Sequence, residues 1–380
     1  LNTSGGVITA NLPAGVAGAI VSFADYAATW QTSNVTVVPN GTDKIGSLNQ
    51  NATLNVEGQS VTFVFVDSTQ GWINTMDSTS NVRGVLPFIC ASVSGACNTL
   101  VTIDTDYKLA TFTGPGTFTV NSVGTPGVGN AIDYLIVAGG ASGSGQGGGG
   151  VGGGGAGGVR VGTVVASPGI PISAPGFTVT AQGYPIVIGG GGGQETSGAG
   201  IVGSPSSGFS LTAARGGFGS CAGATGGPGG SGGGGGEAGG AGGNGNDPST
   251  SPAQGFPGGT GNNPSVGGGG GGALTVGGSS PGTVVGGDGV NAGSVFGTSK
   301  GSPGGFFAGG GGGSTGGLPQ GAPGDGGPGG GGRGNSVSRS VETGVVNTGG
   351  GGGGYGSSGA PLGGSNAGGS GIVLIRYKFQ

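Results

Sequence analysis

Runs of consecutive glycine constrain this chain more than any other feature of its sequence. A residue without Cβ loses more backbone freedom on folding than any other residue, on the order of 1–2 kcal/mol for each ordered position. Any fold that orders these runs must therefore pair their backbone groups cooperatively over many neighbouring segments. The runs include residues 147–150, 232–236, 267–272, 309–313 and 349–354.

The glycines divide the chain into parts. Only 15 of the 111 glycines lie in residues 1–130, and the other 96 lie in the remaining 250 residues. That second part is about 38% glycine, against about 7% in average proteins. The shift predicts a boundary near residue 125, in a stretch rich in turn residues. We predict a β-rich module at 1–80, a small β-hairpin connector at 81–125 and a glycine-rich distal domain at 126–380.

Four structures can be considered for the glycine runs. Collagen requires glycine at every third residue, and these runs do not keep that period. Glycine disfavours β-sheet, and phosphate-binding glycine motifs match by chance in such a sequence. The remaining structure is the three-residue polyproline II helix built from glycine, whose backbone groups bond laterally. The predicted fold class is therefore all-β plus a bundle of polyglycine helices, closed by a small sheet.

The first part has the pattern of short β-strands. Apolar residues dominate 7–12, 19–23 and 34–38. Residues 52–56 and 59–66 flank Glu57-Gly58, which predicts a hairpin with a two-residue turn. A module of about 80 residues has too small a core to be stable alone. We therefore expect it to oligomerise, which would cover its remaining apolar faces.

Two apolar runs enclose the glycine-rich part. Residues 133–138 open it and residues 371–380 close it. Both have the composition of buried strands, and we expect them to pair in one sheet. The glycine segments then become insertions whose two ends are held close together.

Composition excludes several functions. Ten Lys and Arg in 380 residues are too few to form a nucleic-acid footprint. No apolar run approaches the ~20 residues of a membrane helix. Histidine is absent, so the commonest general base and metal ligand are missing. We expect no enzymatic activity, no metal, no cofactor, no nucleic-acid partner and no membrane insertion.

The three cysteines leave one pairing open. Cys90 and Cys97 flank a turn at Ser94-Gly95, and in a hairpin they would lie opposite each other. A disulfide there would indicate an extracellular protein, whereas the alternative is two small buried thiols. Cys221 has no obvious partner, and we interpret it as a small apolar filler.

The first part resembles a repeated module of bacteriophage tail fibres. The resemblance rests on residues 18–26 (GAIVSFADY), 34–41 (NVTVVPNG), 60–66 and 67–72 (DSTQGW). In such fibres this module is a trimer-forming β unit of the shaft. The resemblance therefore implies a homotrimer.

The second part resembles the glycine-rich C-terminal domain of the same fibres. Residues 132–140 (IDYLIVAGG), 152–160 (GGGGAGGVR) and 370–377 (SGIVLIRY) carry this likeness, and 107–120 resembles the strand pair before that domain. Related adhesins fold as sandwiches of polyglycine helices whose loops recognise the host surface. The resemblance implies a virion protein that binds a host polysaccharide or outer-membrane protein and attaches to other tail proteins. Because the chain begins at Leu1, we expect it to be processed or part of a longer protein.

Non-glycine segments between the runs are candidates for receptor-contacting loops at the tip. They occupy 246–256, 294–300, 306–307 and 336–347. Aromatic side chains on loops suit sugar or protein recognition. Alternatively, the phenylalanines cover the flanks of the bundle, and the charges are simply solvated. The candidate receptor-binding residues are Phe256, Phe296, Phe306, Phe307, Arg339 and Tyr355.

Two other functions remain open. A secreted structural filament or bacterial surface adhesin also fits the low charge, and an open polymer would distinguish it from a closed trimer. An ice-binding bundle would need a flat, regular face of Ala, Ser or Thr, which the irregular substitutions argue against.

Overall fold

The fold is almost entirely β. Strands make up 29% of the structure and helix 1%, in several sheets of which none is closed. The all-β part of the predicted fold class is therefore confirmed. The chain divides into two compact units, Leu1–Val85 and Leu86–Gln380. The structure is a computed structural model that describes residues 1–78, 88–124, 129–146, 149–167, 169–262, 265–316, 324–336, 338–356 and 366–380.

The first unit contains two three-stranded sheets. One sheet has the strand order β1-β3-β4 and the other β2-β5-β6. Strands β1 and β3 are parallel, and the other neighbours are antiparallel. The strands are β1 (Ile8–Asn11), β2 (Ile20–Ala24), β3 (Val35–Val38), β4 (Ala52–Leu54), β5 (Ser60–Asp67) and β6 (Gly71–Asp77).

The core of this unit follows from the alternation of residues along the strands. In β5, Val61, Phe63 and Phe65 are buried and alternate with less buried residues, as expected for a sheet with one covered face. Phe65 packs edge to face against Trp72, with 5.4 Å between the ring centroids. The other buried members of this core are Leu12, Trp30, Val35, Val37 and Leu54.

The predicted hairpin between 52–56 and 59–66 is wrong. Strand β4 pairs with β3, whereas β5 lies between β2 and β6. The physical reason is burial, because this pairing brings Leu54 beside Val35 and both side chains into the core.

The opposite face of the β2-β5-β6 sheet carries exposed apolar side chains. No described residue of this unit packs over them. Ile20 and Met76 are each 66% exposed. The strand register places Ile20 beside Val64 and Val64 beside Ile73. We call Ile20, Val64, Ile73 and Met76 the outer apolar face.

The second unit is built around a seven-stranded sheet with the order β14-β13-β11-β22-β9-β8, to which β15 is joined through β11. A three-stranded sheet, β16-β10-β7, and three two-stranded sheets complete it. The elements are β7 (Cys90–Val93), β8 (Thr99–Thr102), β9 (Tyr107–Phe112), β10 (Gly116–Ser122), β11 (Ala131–Val137), β12 (Gly145–Gln146), β13 (Val159–Thr163), β14 (Ala174–Pro175), β15 (Phe177–Thr178), β16 (Gly183–Ile186), β17 (Ser206–Gly208), β18 (Leu211–Ala213), β19 (Val290–Asn291), α1 (Gly293–Phe296), β20 (Phe306–Phe307), β21 (Tyr355–Gly356) and β22 (Ile372–Lys378).

The two apolar runs that enclose the glycine-rich part pair directly, as predicted. Strands β11 and β22 are antiparallel neighbours, with Leu135 opposite Leu374. Their side chains enter two cores, one on each face of the sheet: Tyr134 and Ile375 lie in one, Leu135 and Leu374 in the other. Burial on both faces explains why these strands are continuous apolar runs rather than alternating ones.

The strands of the predicted connector belong to the second unit. Strand β9 pairs with β22 and β8, and β10 pairs with β16 and β7. Strands β7 and β8 thus lie in different sheets and do not form the expected hairpin. Cys90 and Cys97 are therefore not held opposite each other by a hairpin, and both thiols are free and exposed.

The glycine segments pair their backbones laterally with a period of three residues. We call residues 149–158 the central segment. Its donors at Gly152 and Gly155 bond to Ser220 and Gly217 of one neighbour. The donors at 153 and 156 bond to Gly268 and Gly271 of a second neighbour, and those at 154 and 157 to Gly352 and Gly349 of a third.

Carbonyl groups of the central segment accept hydrogen bonds with the same three-residue period, from three further neighbouring segments. Those at 152 and 155 accept from Ser144 and Ala141, and those at 153 and 156 accept from Gly234 and Ser231. Those at 151 and 154 accept from Ser314 and Gly311. Six neighbouring segments therefore satisfy its buried backbone groups.

Side chains are excluded from most positions in this arrangement. A Cβ on Gly154 would lie 2.2 Å from the carbonyl oxygen of Ala141. A Cβ on Gly152 would lie 2.0 Å from the carbonyl oxygen of Gly234. Glycine is thus required by the close approach of backbones rather than by a left-handed conformation.

Candidate recognition site

The glycine segments extend away from the seven-stranded sheet and reverse direction at the end of the second unit that lies opposite the sheet. Val137, at the end of β11, pairs with Val159 at the start of β13. Between them, the N–H of Ala141 donates to Gly155 and that of Ser144 donates to Gly152, so the described residues 145–146 and 149–150 lie farther from the sheet than these pairs. We call this side of the second unit the distal end and the side of the sheet the proximal end.

Tyr355 and Arg339 lie at the distal end. Tyr355 is half-buried and pairs with Gly145 through β21 and β12. Arg339 is bridged to Ser336, which follows Asn335, and the Asn335 side chain accepts the N–H of Gly356 at 2.9 Å. Arg339 lies outside the strands, in the segment that we expect at the tip, whereas Tyr355 lies in the short strand β21.

Charged side chains at this end are paired with one another. Arg339 lies 3.3 Å from Asp325, and both side chains are largely exposed. Arg333 pairs with Glu342. Exposed pairs of this kind are weakly held, so they can exchange partners when another charged group approaches.

Two buried polar atoms at the distal end have no hydrogen-bond partner in the described part of the chain. They are Oγ1 of Thr315 and Nδ2 of Asn335. The two residues are neighbours, since the N–H of Thr315 donates to the carbonyl oxygen of Asn335 at 3.2 Å. An unsatisfied buried polar group is costly, so this place favours a water molecule or a polar ligand group.

The phenylalanine candidates lie at the proximal end instead. Phe296 and Phe307 are fully buried and pack in the core beneath Leu135 and Leu374. Phe306 pairs with Asn291 in the adjoining two-stranded sheet and is half-buried. The expectation that these loops form the tip is wrong for them, because their rings complete the core that anchors the glycine segments.

Phe256 also lies away from the distal turns. Its carbonyl oxygen accepts from Gly232, and its N–H donates to Gly272. The preceding loop contains Gln254, whose carbonyl accepts the N–H of Val159 at the start of β13. The segment 246–256 is therefore a proximal turn, and the half-buried Phe256 ring covers the flank of the glycine segments.

Sequence reasoning missed a charged pair at the proximal end. Asp133 of β11 lies opposite Arg376 of β22, with 2.9 Å between Oδ2 and Nη1. Burial raises the pKa of Asp133, although the N–H of Val164 and the Arg376 guanidinium both oppose this rise. The signal was present in the sequence, since each residue is a charge inside a largely apolar stretch.

Within the described ranges, no group of three or more His, Cys, Asp and Glu residues has the arrangement of a metal site. A helix long and apolar enough to cross a membrane is likewise not found among the described residues.

The family comparison supports a glycine-rich domain and no more specific class of protein. Residues 113–378 match the model of a family described as a glycine-rich domain. The chain belongs to this family. A comparison with curated proteins gives no match. The matched range begins near the end of β9 and ends with β22, so it contains the strands that enclose the glycine segments.

Proposed function

We propose that the glycine segments are polyglycine II helices packed as a bundle. The supporting observation is the three-residue period of the lateral hydrogen bonds, because that helix has three residues per turn and no internal hydrogen bonds. The six neighbours of the central segment fit a hexagonal array of such helices. The bundle makes the second unit a rigid body with a defined distal surface.

We further propose that the chain is a bacteriophage tail fibre or adhesin that attaches the virion to a host cell by non-covalent, multivalent binding. The observation that carries this proposal is the distal end itself. A rigid array holds the exposed Arg339 and the half-buried Tyr355 at one end, close to the buried, unpaired polar atoms of Thr315 and Asn335. These groups suit hydrogen bonding and ring contacts with a surface polysaccharide or an outer-membrane protein. Catalysis is not part of this proposal.

Binding to intact bacteria tests the attachment proposal. A fluorescent form of the chain is titrated onto a panel of strains with and without capsules, and binding is measured by flow cytometry. The double variant Arg339→Ser, Tyr355→Ser should bind at least tenfold more weakly than the unchanged chain. The matched control Lys300→Ser, Tyr26→Ser alters one cation and one tyrosine that lie elsewhere and should bind normally. Equal binding by the two double variants would contradict the proposal.

We propose that the chain acts as a homotrimer and that the outer apolar face is the contact between its copies. Ile20 and Met76 are too exposed for an isolated module, and burying them would give about 1.5–3 kcal/mol for each side chain. Association through three copies would also make weak receptor contacts effective together. We place the assembly in the virion, joined to other tail proteins.

The mass of the particle tests the trimer. Light scattering should give a mass of three chains of 34.7 kDa, and Ile20→Glu with Met76→Glu should give single chains. The matched variant Val7→Glu, at a position 72% exposed outside this face, should leave the trimer intact. An open series of larger masses would favour the secreted structural filament or bacterial surface adhesin instead.

A further inference from the structure

We propose that a pocket at the proximal end binds a small organic carboxylate with an apolar body. The pocket has a volume of about 420 Å³ and is formed beside the paired ends of β11 and β22. That volume lies in the usual range for small-ligand sites. The inference is independent of the proposed attachment function, because the distal residues take no part in it.

Arg376 supplies the polar end of the pocket. Its guanidinium carbon lies 3.6 Å from the centroid of the Tyr107 ring, which holds the group flat. Its Nη1 donates to Asp133, and this is its single hydrogen bond within the described residues, with Nε left without an acceptor. Since a guanidinium carries five N–H donors, Arg376 keeps donor capacity for a planar, charged acceptor.

Lys378 adds a second cation to the same wall. It lines the pocket together with Arg376, and Asp106 lies 3.6 Å from its Nζ. Both of these side chains are substantially exposed, so the pair is weak. The Lys378 Nζ also lies 4.9 Å from the centroid of the Phe88 ring, and a bound anion would compete with these two contacts for the ammonium group.

Asp133 is not available to bind a cationic ligand. Its Oδ1 accepts the N–H of Val164 at 2.6 Å, and its Oδ2 accepts from Arg376 at 2.9 Å. Both carboxylate oxygens thus have partners within the protein. The charged lining consists of Arg376 and Lys378 against Asp133, a net positive charge in a chain whose overall charge is −4.

The opposite wall is apolar and partly open to solvent. Val164 and Val165 are 45% and 76% exposed, and Val295 of α1 completes this side. A ligand with its carboxylate at Arg376 and Lys378 would place its apolar part against these valines. Burial of that part contributes about 25 cal/mol for each Å² removed from water.

Fluorine NMR with 4-fluorobenzoate tests the inference, and 4-fluorobenzamide serves as the neutral probe of the same shape. The benzoate signal should shift and broaden saturably, with at least tenfold tighter binding than the benzamide. Val165→Glu places a negative charge at an exposed position and should weaken benzoate binding at least tenfold. Lys378→Gln should weaken it several-fold.

The matched controls are Val346→Glu, at a position 67% exposed outside the pocket, and Lys300→Gln. Both should bind the benzoate normally. Absence of saturable binding, equal affinity for the two probes, or unchanged affinity in Val165→Glu would each overturn the inference. Cell binding by Val165→Glu should stay unchanged, so failure of the pocket and failure of the attachment proposal are distinguishable.

Discussion

Gly154 donates its backbone N–H to the carbonyl oxygen of Gly352 at 2.8 Å. The two residues are almost two hundred positions apart in the chain, and neither has a side chain that contributes to the contact. Stability in this region comes from backbone pairing across segments rather than from an apolar core. The consequence is that a single methyl group at the wrong position should be highly destabilising.

Gly154→Ala should lower the free energy of unfolding by more than about 3 kcal/mol, beyond the usual cost of overpacking. The new Cβ would lie 2.2 Å from a backbone oxygen that six-fold packing holds in place. Gly190→Ala is the matched control, because a Cβ there meets nothing within 4 Å. The control should be neutral or up to about 1 kcal/mol more stable, owing to a less flexible unfolded state. Chemical denaturation measures both, and similar values would contradict the packing argument.

Phe209 holds an unusual position that yields a second prediction. It lies in the two-residue turn between β17 and β18 with φ of 55°, yet its ring is buried against those of Phe177 and Tyr184 at 5.1 and 5.2 Å. Phe209→Ala should cost about 3–5 kcal/mol, as for other buried phenylalanines. Ser210→Gly, at the exposed neighbour with φ of 59°, should instead stabilise by up to about 1 kcal/mol. Thermal unfolding that moved in the same direction for both variants would contradict this account.

The Asn366 side chain links the last glycine segment to two others by hydrogen bonds. Its Nδ2 donates to the carbonyl oxygens of Gly143 and Glu195, at 3.0 and 2.8 Å, and its Oδ1 accepts from Glu195. Asn366→Ala should cost about 2–4 kcal/mol, because it leaves buried backbone groups unpaired. Hydrogen exchange should then increase at Glu195. Ser207→Ala, at a half-buried site on β17, is the comparison and should leave exchange at Glu195 unchanged.

Alkaline stability should depend on Tyr377. Burial is the main cause that raises its pKa to about 12 from 10.0, with the neighbouring Cys90 thiol adding to the effect. Between pH 10 and 12 the unfolded chain loses this proton while the folded chain keeps it, so stability present below pH 10 is lost as the pH rises. The loss is on the order of 2 kcal/mol.

Tyr377→Phe removes this proton and should show a smaller decrease in stability from pH 10 to 12 than the unchanged chain. Denaturation at a series of pH values measures the difference. Tyr26→Phe, at a tyrosine 79% exposed, is the control and should retain the full decrease. Parallel curves for the unchanged chain and Tyr377→Phe would contradict the prediction.

The sequence predicted what depends on local composition. Runs of apolar residues at 133–138 and 371–380 predicted the pairing of β11 with β22, since both strands are buried on both faces. Residues 59–66 were likewise predicted as a strand, and β5 occupies Ser60–Asp67. Strand partners were harder to predict: β4 pairs with β3 rather than with β5, and β7 pairs with β10 rather than with β8. No local turn determines a pairing such as that of β7 with β10, which are separated by two other strands.

The candidate site was predictable only in part for a related reason. Arg339 was expected in a tip loop and lies at the distal end, but Phe296 and Phe307 looked equally suited to a tip and are buried. Whether a turn is proximal or distal depends on how many segments precede it and on their direction, which glycine runs of similar length do not reveal. A buried aromatic and an exposed one are therefore indistinguishable by local sequence here.

The three-residue period of the lateral bonds limits how related chains can vary in length. In the proposed polyglycine II arrangement, adding one residue to the central segment would rotate each later residue by about a third of a turn, so that a residue with a side chain, such as Ala156, would face a different neighbour. Adding three residues would turn every later residue back towards its own neighbouring segment and lengthen the segment by one turn. Insertions and deletions among relatives should therefore occur in threes within these segments and in any number at their turns, so that the evolutionary freedom of the molecule is concentrated at the turns.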